Sequence, residues 1–305
     1  MDTIAFLFAG QGAQYPGMGK SLYELGGRTA DIFEMAESIR PGLMRDCFEG
    51  GTERLAQTDV TQPCVYTVNL AAAAALEERG VHPKAVAGFS LGEMAALTFS
   101  GVFAKPEGMR LVCLRGQLMQ QAAQQKAGTM AAVLKLADGQ VEELCREHRD
   151  MFPANYNCEG QLVVSGSADL MPEFCAAVKA AGGMARPVAV SGAFHSPFMQ
   201  PAAEGFLAEL RKTEMAAPRM PVYANVTARP YGEEVAETLA AQIQKPVHWS
   251  DTVREMQRAG IDTFIEVGPG KTLSAFVKRI LPGARVLNVQ DAETLQAALD
   301  ALAGQ

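Results

Sequence analysis

A serine flanked by two glycines is the pattern with the clearest chemical use in this sequence. The run Gly88-Phe89-Ser90-Leu91-Gly92 has the Gly-x-Ser-x-Gly form, in which a sharp strand-to-helix turn exposes a serine hydroxyl. The start of the following helix favours negative charge that develops beside that serine. Ser90 is therefore the candidate nucleophile of an esterase-like site. The alternative is a serine that only caps the helix, because serine is common at that position.

A nucleophilic serine needs a base, and the chain has four histidines. His82 precedes a proline in a polar loop, and His148 lies among charged residues where solvation is expected. His195 lies among small residues at a predicted turn between two domains, where its ring can project into a cleft. His248 follows a Pro-Val pair and stays open as a second candidate. The pattern favours His195 as the base.

Alternating strand and helix patterns predict an α/β fold for most of the chain. Around the serine, the pattern predicts a short buried strand over 86–89 and a helix over 91–99. The same reasoning predicts further strands and helices over 4–9, 263–267, 272–280, 285–289 and 292–302.

The middle of the chain has a different order of elements. Between 128 and 192 the predicted order is strand, helix, strand, strand, helix, strand, which is the ferredoxin-like plan. This order predicts a small subdomain over 128–192 that is inserted into a larger domain formed by 1–127 and 193–305. The second junction falls just before His195. Because ligand sites favour domain interfaces, we expect a cleft there.

Composition and charge argue against several other classes of protein. The 305 residues are 48% hydrophobic and 20% charged, which is ordinary for a folded protein. A net charge of −7 argues against a nucleic-acid surface. The start of the chain does not have the form of a signal peptide, and the alanine-rich run over 68–76 is too short to cross a bilayer. A cytoplasmic protein without a membrane partner is expected.

The chain has no sequence pattern typical of a metal or nucleotide site. Its six cysteines form no Cys-x-x-Cys pair, so free core thiols are expected rather than zinc or disulfides. The glycine-rich run from Gly10 has Tyr15 where a dinucleotide loop needs its third glycine. The segment Gly270-Lys271-Thr272 has Ile265 where a phosphate loop needs its first glycine. We therefore predict neither a metal nor a cofactor.

Several separate segments together resemble the malonyl-CoA:acyl carrier protein transacylases, a family that includes the acyltransferase domains of polyketide and fatty acid synthases. The resemblance spans most of the chain, in the segments 8–14, 88–93, 115–116, 119–120, 192–197, 242–249 and 266–271. It implies an α/β-hydrolase-like domain that carries a ferredoxin-like subdomain. This architecture is similar to the insertion predicted above.

The resemblance also implies catalytic roles. Ser90 matches the family nucleophile and His195 matches its base. The backbone amides of Gln11 and Leu91 match the oxyanion hole. Gln242 matches the glutamine whose carbonyl orients the histidine, so no acidic third member of a triad is required; the nearby Gln244 is the alternative for that role.

Three further residues are assigned to substrate binding by the resemblance. Arg115 matches the arginine that binds the malonyl carboxylate, although position alone would assign it to a surface ion pair on a helix. Phe194 resembles the malonyl-selective form of its segment, in which a bulky ring crowds a 2-methyl branch. Phe89 departs from the family, which usually has histidine immediately before the serine. The histidine ring faces the acyl pocket in that family, so a phenylalanine at this position removes a polar group from the pocket.

The implied reaction is transfer of a malonyl group from malonyl-CoA to the phosphopantetheine thiol of an acyl carrier protein. It passes through a malonyl-Ser90 ester, needs no cofactor, and supplies fatty acid or polyketide chain extension. A monomer is expected. One rival is a hydrolase with the same serine, which rapid decay of the acyl-enzyme without carrier protein would favour. The other is a non-catalytic docking module, which carrier binding without an adduct would favour.

Overall fold

A computed structural model describes residues 3–190 and 192–304 of the chain. Its strands are β1 (Ile4–Phe8), β2 (Ala85–Gly88), β3 (Gly128–Leu134), β4 (Met151–Cys158), β5 (Gln161–Ser167), β6 (Met184–Pro187), β7 (Val222–Tyr223), β8 (Thr263–Val267) and β9 (Arg285–Val289). Its helices up to the middle of the chain are α1 (Lys20–Tyr23), α2 (Gly27–Ile39), α3 (Leu43–Glu49), α4 (Thr52–Leu55), α5 (Thr58–Glu77), α6 (Leu91–Phe99), α7 (Lys105–Gln125) and α8 (Asp138–Glu147). The remaining helices are α9 (Met171–Ala180), α10 (Gln200–Leu210), α11 (Val235–Gln242), α12 (Trp249–Arg258), α13 (Thr272–Ile280) and α14 (Ala292–Ala303).

The larger domain is built on a five-stranded parallel sheet with the order β7-β2-β1-β8-β9. Successive side chains of β1 point to opposite faces of this sheet. Phe6 and Phe8 pack in one apolar core, and Ala5 and Leu7 pack in a second one. Burial on both faces explains why the strands read as continuous apolar runs. The carboxyl ends of all five strands lie at one edge of the sheet.

The smaller sheet is antiparallel and has the order β4-β5-β3-β6. Helices α8 and α9 contribute Val141 and Phe174 to a core of their own with this sheet. The order and the two helices agree with the predicted ferredoxin-like plan. They support the proposal of an inserted subdomain over 128–192, whose boundaries remain a prediction. Residues 1, 2 and 305 of the predicted larger domain, and residue 191 of the subdomain, lie outside the described residues.

The subdomain is tied to the larger domain next to the loop that follows α11. The amide of Tyr156 in β4 donates to Val247 O at 2.9 Å, and the amide of Val247 donates to Ala154 O at 2.8 Å. Asn155 and Val247 therefore form a parallel bridge. This bridge sets the small sheet beside the carboxyl edge of the large one.

Most predicted elements are confirmed, and the differences have local causes. The elements over 91–99, 263–267, 272–280 and 285–289 agree with the structure to the residue. Strand β4, the second strand of the predicted insertion, spans Met151–Cys158 and includes Pro153. It lies at the edge of its sheet, where a proline removes no ladder hydrogen bond, and its register shifts next to that proline. None of the helices in the described ranges is long and apolar enough to cross a bilayer.

Candidate active site

Ser90 lies in the turn between β2 and α6, at the carboxyl edge of the large sheet. Its φ of 52° and ψ of −105° are unusual for a residue with a side chain and cost about 1–3 kcal/mol. Its hydroxyl makes no capping hydrogen bond to the helix. The helix-cap alternative therefore has no support, and the strained backbone presents the hydroxyl away from α6.

The two glycines of the motif are required by close packing. A Cβ on Gly88 would lie 1.9 Å from the carbonyl carbon of Gly92, and a Cβ on Gly92 would lie 2.1 Å from Phe8 O. The backbone at the start of helix α6 therefore packs directly against the backbones of β1 and β2. This approach is too close for a side chain at either glycine. The spacing in the sequence is explained by this contact.

His195 is the histidine that lies beside the serine. Its Nε2 is 2.7 Å from Ser90 Oγ, and its ring is buried. Its Nδ1 lies 2.8 Å from the backbone carbonyl of Gln242 and 3.2 Å from that of Lys245. Two carbonyl acceptors require the proton on Nδ1, which leaves the lone pair of Nε2 facing the hydroxyl. The imidazole is thus oriented by backbone carbonyls rather than by a carboxylate.

His248 occupies a different environment. Its ring stacks on Tyr156 with centroids 5.0 Å apart, and its Nδ1 is 3.9 Å from Asp251. No hydrogen bond of the described residues joins its ring to Ser90. The structure brings together Ser90 and His195, and it places His248 at the subdomain contact.

Arg115 is buried in α7 and points toward the serine. Its Nη1 donates to Gln62 Oε1 at 2.7 Å. Its Nη2 donates to Gln242 Oε1 at 2.8 Å and to Ser90 Oγ at 3.4 Å. Within residues 3–190 and 192–304 it forms no ion pair with a carboxylate, and its Nε has no partner. A surface ion pair is therefore not what the structure contains.

The electrostatics of this group favour base catalysis. Burial lowers the pKa of Arg115 to about 10, so the guanidinium is still charged near neutral pH. Burial, and then the charge of Arg115, lower the pKa of His195 to about 4. The imidazole is consequently neutral near pH 7 and able to accept the proton of Ser90. Among the described residues no carboxylate lies within ion-pair distance of the guanidinium, although the charge of the nearby Glu93 raises the pKa of Arg115. A buried cation without a directly paired anion is costly to a protein, which favours an anion as the ligand of this site.

Gln242 contacts the serine through its side chain as well as the histidine through its backbone. Its Nε2 donates to Ser90 O at 2.7 Å and to Glu93 Oε2 at 3.0 Å, while its Oε1 accepts from Arg115. The family resemblance implied only a carbonyl that orients the histidine. No hydrogen bond joins Gln244, the alternative for this role, to Ser90, His195 or Arg115.

Sequence reasoning missed a buried carboxyl group behind the serine. Glu93 Oε1 accepts from the Tyr231 hydroxyl, and its Oε2 accepts from the Asn225 amide at 3.1 Å. Burial raises the pKa of Glu93 to about 7, although these hydrogen bonds and Arg115 oppose the shift. Glu93 is the one charged residue of helix 91–99, and a lone charge in a mostly apolar helix was the signal in the sequence that could have found it. Asn225 follows a strand of only two residues, and no sequence pattern marks it.

Two backbone amides next to the serine are free to bind an oxyanion. Gln11 follows β1, and its neighbour Gly10 packs so close to the serine turn that a Cβ there would lie 2.5 Å from Phe89 O. Leu91 is the first residue of α6. Among the described residues, the amides of Gln11 and Leu91 have no acceptor. The amide of Ser90 itself is occupied, because it donates to Asn225 Oδ1 at 2.7 Å.

A cavity of about 220 Å³ lies between the two domains beside Phe89. The Phe89 ring meets Trp249 edge-on at 5.4 Å between centroids. The opposite wall belongs to the small sheet, where Asn155 and Asn157 each hold a buried Oδ1 without a partner in the described ranges. Phe194 is buried but is not among the residues that line this cavity.

The described residues contain no cluster of three or more metal-ligating side chains. All six cysteines are free thiols. These side chains give no indication of a metal centre in this part of the chain, and the reactive groups of the cleft are those of Ser90, His195 and Arg115.

Known proteins match this chain over nearly its whole length. Residues 5–297 match the family described as acyl transferase domain. The malonyl CoA-acyl carrier protein transacylase of Bacillus subtilis is 36% identical over 311 residues, which cover 99% of this chain and 98% of that protein.

Solved structures agree with these matches. The malonyl CoA-acyl carrier protein transacylase from Clostridium perfringens has a TM-score of 0.95 at 37% identity, covering 99% of this chain and 97% of that one. A malonyl-transacylase solved in complex with its type II PKS acyl-carrier protein has a TM-score of 0.94 at 32% identity, covering 98% of this chain and 99% of that one.

Proposed function

The chain belongs to the acyl transferase family, and on that premise we propose that it transfers malonyl groups from malonyl-CoA to the phosphopantetheine thiol of an acyl carrier protein. The names of its relatives, and the carrier complex of one of them, support this choice of substrates. One observation carries the proposal. The Ser90 hydroxyl lies 2.7 Å from a histidine and 3.4 Å from a buried guanidinium that forms no ion pair with a carboxylate of the described residues.

The first half of the reaction loads the enzyme. His195 Nε2 takes the proton of Ser90 Oγ while the oxygen attacks the thioester carbonyl of malonyl-CoA. The amides of Gln11 and Leu91 bind the oxyanion of the tetrahedral intermediate. Removal of one such donor commonly lowers the rate by ~10²–10³-fold. The carbon–sulfur bond then breaks, His195 gives its proton to the departing CoA thiolate, and a malonyl-Ser90 ester remains.

The second half repeats this chemistry with another thiol. His195 takes the proton of the phosphopantetheine thiol, and the sulfur attacks the ester carbonyl. The ester bond breaks, the proton passes from His195 to Ser90 Oγ, and malonyl-carrier leaves. Bonds and protons balance in both halves without oxidation or reduction, so we propose that the reaction needs no cofactor.

We assign the cavity beside Phe89 to the pantetheine arm that CoA and carrier protein share. The arm has amide groups, and the wall of the small sheet offers the side-chain oxygens of Asn155 and Asn157, which accept no hydrogen bond from the described residues. The opposite wall is aromatic, from Phe89 and Phe276. This division leaves the Arg115 side of the serine for the malonyl group. A cytoplasmic location and a monomeric state stay predictions.

Arg115→Ala is expected to lower the preference for malonyl over acetyl groups. The rate of malonyl-Ser90 formation should fall roughly 10²-fold or more, because truncating one partner of a buried charged contact costs about 2–5 kcal/mol. The acetyl group has no carboxylate and so makes no such contact with Arg115. The rate of acetyl-Ser90 formation should therefore fall less. The measurement is the ratio of acyl-enzyme formation rates with malonyl-CoA and acetyl-CoA.

Arg110→Ala is the matched control, since Arg110 lies on the same helix with its side chain 60% exposed and pairs only with Glu107 in the described residues. Its malonyl-to-acetyl ratio should equal that of the unmodified protein. An unchanged ratio in Arg115→Ala would remove the carboxylate-binding role from Arg115.

The proposed function is tested by incubation with malonyl-CoA, with and without a phosphopantetheinylated acyl carrier protein. Intact-mass measurement should show one malonyl adduct on the enzyme that persists without carrier protein. Addition of carrier should remove the adduct and form malonyl-carrier in equal amount. Rapid release of free malonate without carrier would identify a hydrolase instead, and carrier binding without any adduct would identify a docking module.

A further inference from the structure

We propose that Asn225 is the positioning residue that holds the strained turn of Ser90 in its reactive geometry. Its side chain spans the turn. Asn225 Nδ2 donates to Gly88 O at 2.7 Å, and Asn225 Oδ1 accepts from the amide of Ser90, also at 2.7 Å. The carboxamide of Asn225 thus forms one hydrogen bond to each of the two peptide groups that flank Phe89. This role deepens the proposed function and rests on Ser90 being its nucleophile.

The sheet topology explains how a residue 135 positions away reaches the turn. Strand β7 pairs with β2 in parallel, so the ends of both strands lie at the same edge of the sheet. Asn225 comes two residues after β7, as Ser90 comes two residues after β2. The Asn225 side chain is fully buried, so water does not compete for its hydrogen bonds.

Asn225 is itself held from three sides. Its amide donates to Glu93 Oε2 at 3.1 Å, and its carbonyl accepts from the His248 amide at 2.9 Å. Its Oδ1 also lies 3.4 Å from Gln242 Nε2. With both its backbone groups bonded, the carboxamide is fixed before any substrate binds. Such preorganisation is what a strained functional turn requires.

The contact has a consequence for the oxyanion site. In many serine enzymes the amide of the nucleophile itself stabilises the intermediate. Here that amide is already bonded to Asn225, which leaves the amides of Gln11 and Leu91 for the oxyanion. Asn225 therefore sets the position of the Ser90 hydroxyl and also directs which amides face the substrate.

The test compares Asn225→Ala with Asn225→Asp. The first removes both contacts, and it should lower the rate constant of malonyl-Ser90 formation at saturating malonyl-CoA by ~10²-fold, because displacements near 1 Å cost that much in a positioned reaction. The KM for malonyl-CoA should stay within about threefold, since Asn225 contacts the turn and not the substrate. The second keeps an acceptor for the Ser90 amide but sets an oxygen against Gly88 O, where Nδ2 donates in the unmodified protein, so it should recover only part of the loss. Should Asn225→Ala not fold, Asn225→Leu replaces it in every comparison.

The control is Thr67→Ala, which removes a fully buried hydroxyl that bonds only to Pro63 O and Met109 Sδ in the described chain. Its acylation rate should match that of the unmodified protein. Labelling of Ser90 by a fluorophosphonate, which needs the nucleophile and base but no malonyl-CoA, should fall in Asn225→Ala in parallel with acylation. Equal rates in Asn225→Ala and the unmodified protein, or a loss confined to KM, would overturn the role. If the unmodified protein is labelled by the fluorophosphonate but takes no malonyl group, the proposed substrate is wrong. The labelling rates of the variants then still decide the positioning role of Asn225.

Discussion

Ser90→Ala is expected to take no malonyl group at all from malonyl-CoA. The intermediate is an ester on Ser90 Oγ, and neither His195 nor Arg115 can replace that oxygen. Turnover should fall on the order of 10⁴-fold or more, since removal of a nucleophile that acts as a unit with its base removes nearly all covalent catalysis. Intact-mass measurement after mixing with malonyl-CoA should show one adduct on the unmodified protein and none on the variant.

Ser100→Ala provides the matched control for this experiment. Ser100 follows the other end of α6 and is fully buried, and its hydroxyl donates only to Leu97 O in the described part of the chain. Its loss perturbs the same helix without touching the reactive groups, so the adduct should form at the normal rate. A malonyl adduct on Ser90→Ala would show that another group is the nucleophile and would reject the mechanism.

His195→Ala should have the second largest effect. A positioned general base contributes typically ~10²–10⁴ in rate, and His195 Nε2 is the basic atom within 2.7 Å of the hydroxyl. His248→Ala is the natural comparison, because His248 was the other sequence candidate and stacks on Tyr156 instead. The rate of acyl-enzyme formation should fall only in the His195 variant. A larger loss in His248→Ala would reverse the assignment.

The pH dependence of acylation provides an independent check on His195. Its pKa is lowered to about 4 by burial and by Arg115, and the base must be neutral to accept a proton. The rate should therefore be flat through neutral pH and fall as the pH drops through about 4. A bound malonyl carboxylate offsets the charge of Arg115, so at saturating substrate the fall should lie at higher pH with malonyl-CoA than with acetyl-CoA. Identical profiles for the two substrates would contradict this coupling.

The local features of the site were predictable because short-range sequence rules control them. An apolar run, a Gly-x-Ser-x-Gly turn and a following helix predict a strand–serine–helix unit, and the structure has one at 85–99. Gly88 and Gly92 are needed where the backbones of the strand and the helix touch, so their spacing in the sequence indicates that contact. The order of strands and helices likewise indicated an inserted ferredoxin-like sheet, since each element is defined by its own periodicity.

Matching segments contributed a second kind of information. Arg115, Gln11 and Gln242 carry no local signal, and position alone would have placed Arg115 in a surface ion pair. Resemblance to a family assigned Arg115 to the substrate, Gln11 to the oxyanion and Gln242 to the orientation of the histidine. The structure places Arg115 and Gln242 in contact with Ser90. Even so, the resemblance assigned Gln242 only one of its contacts.

Only the tertiary structure decided how these groups meet. The Ser90–His195 contact spans 105 residues, and the Asn225–Ser90 contact spans 135. Such contacts depend on which strands become neighbours and on which side chains packing forces inward, and no local pattern encodes either. The sequence determined that a reactive serine sits at the end of a strand. The fold decided that His195 rather than His248 lies beside that serine, and that a buried arginine faces it without an ion pair to any described carboxylate. It also decided that Asn225 bonds to both ends of the turn.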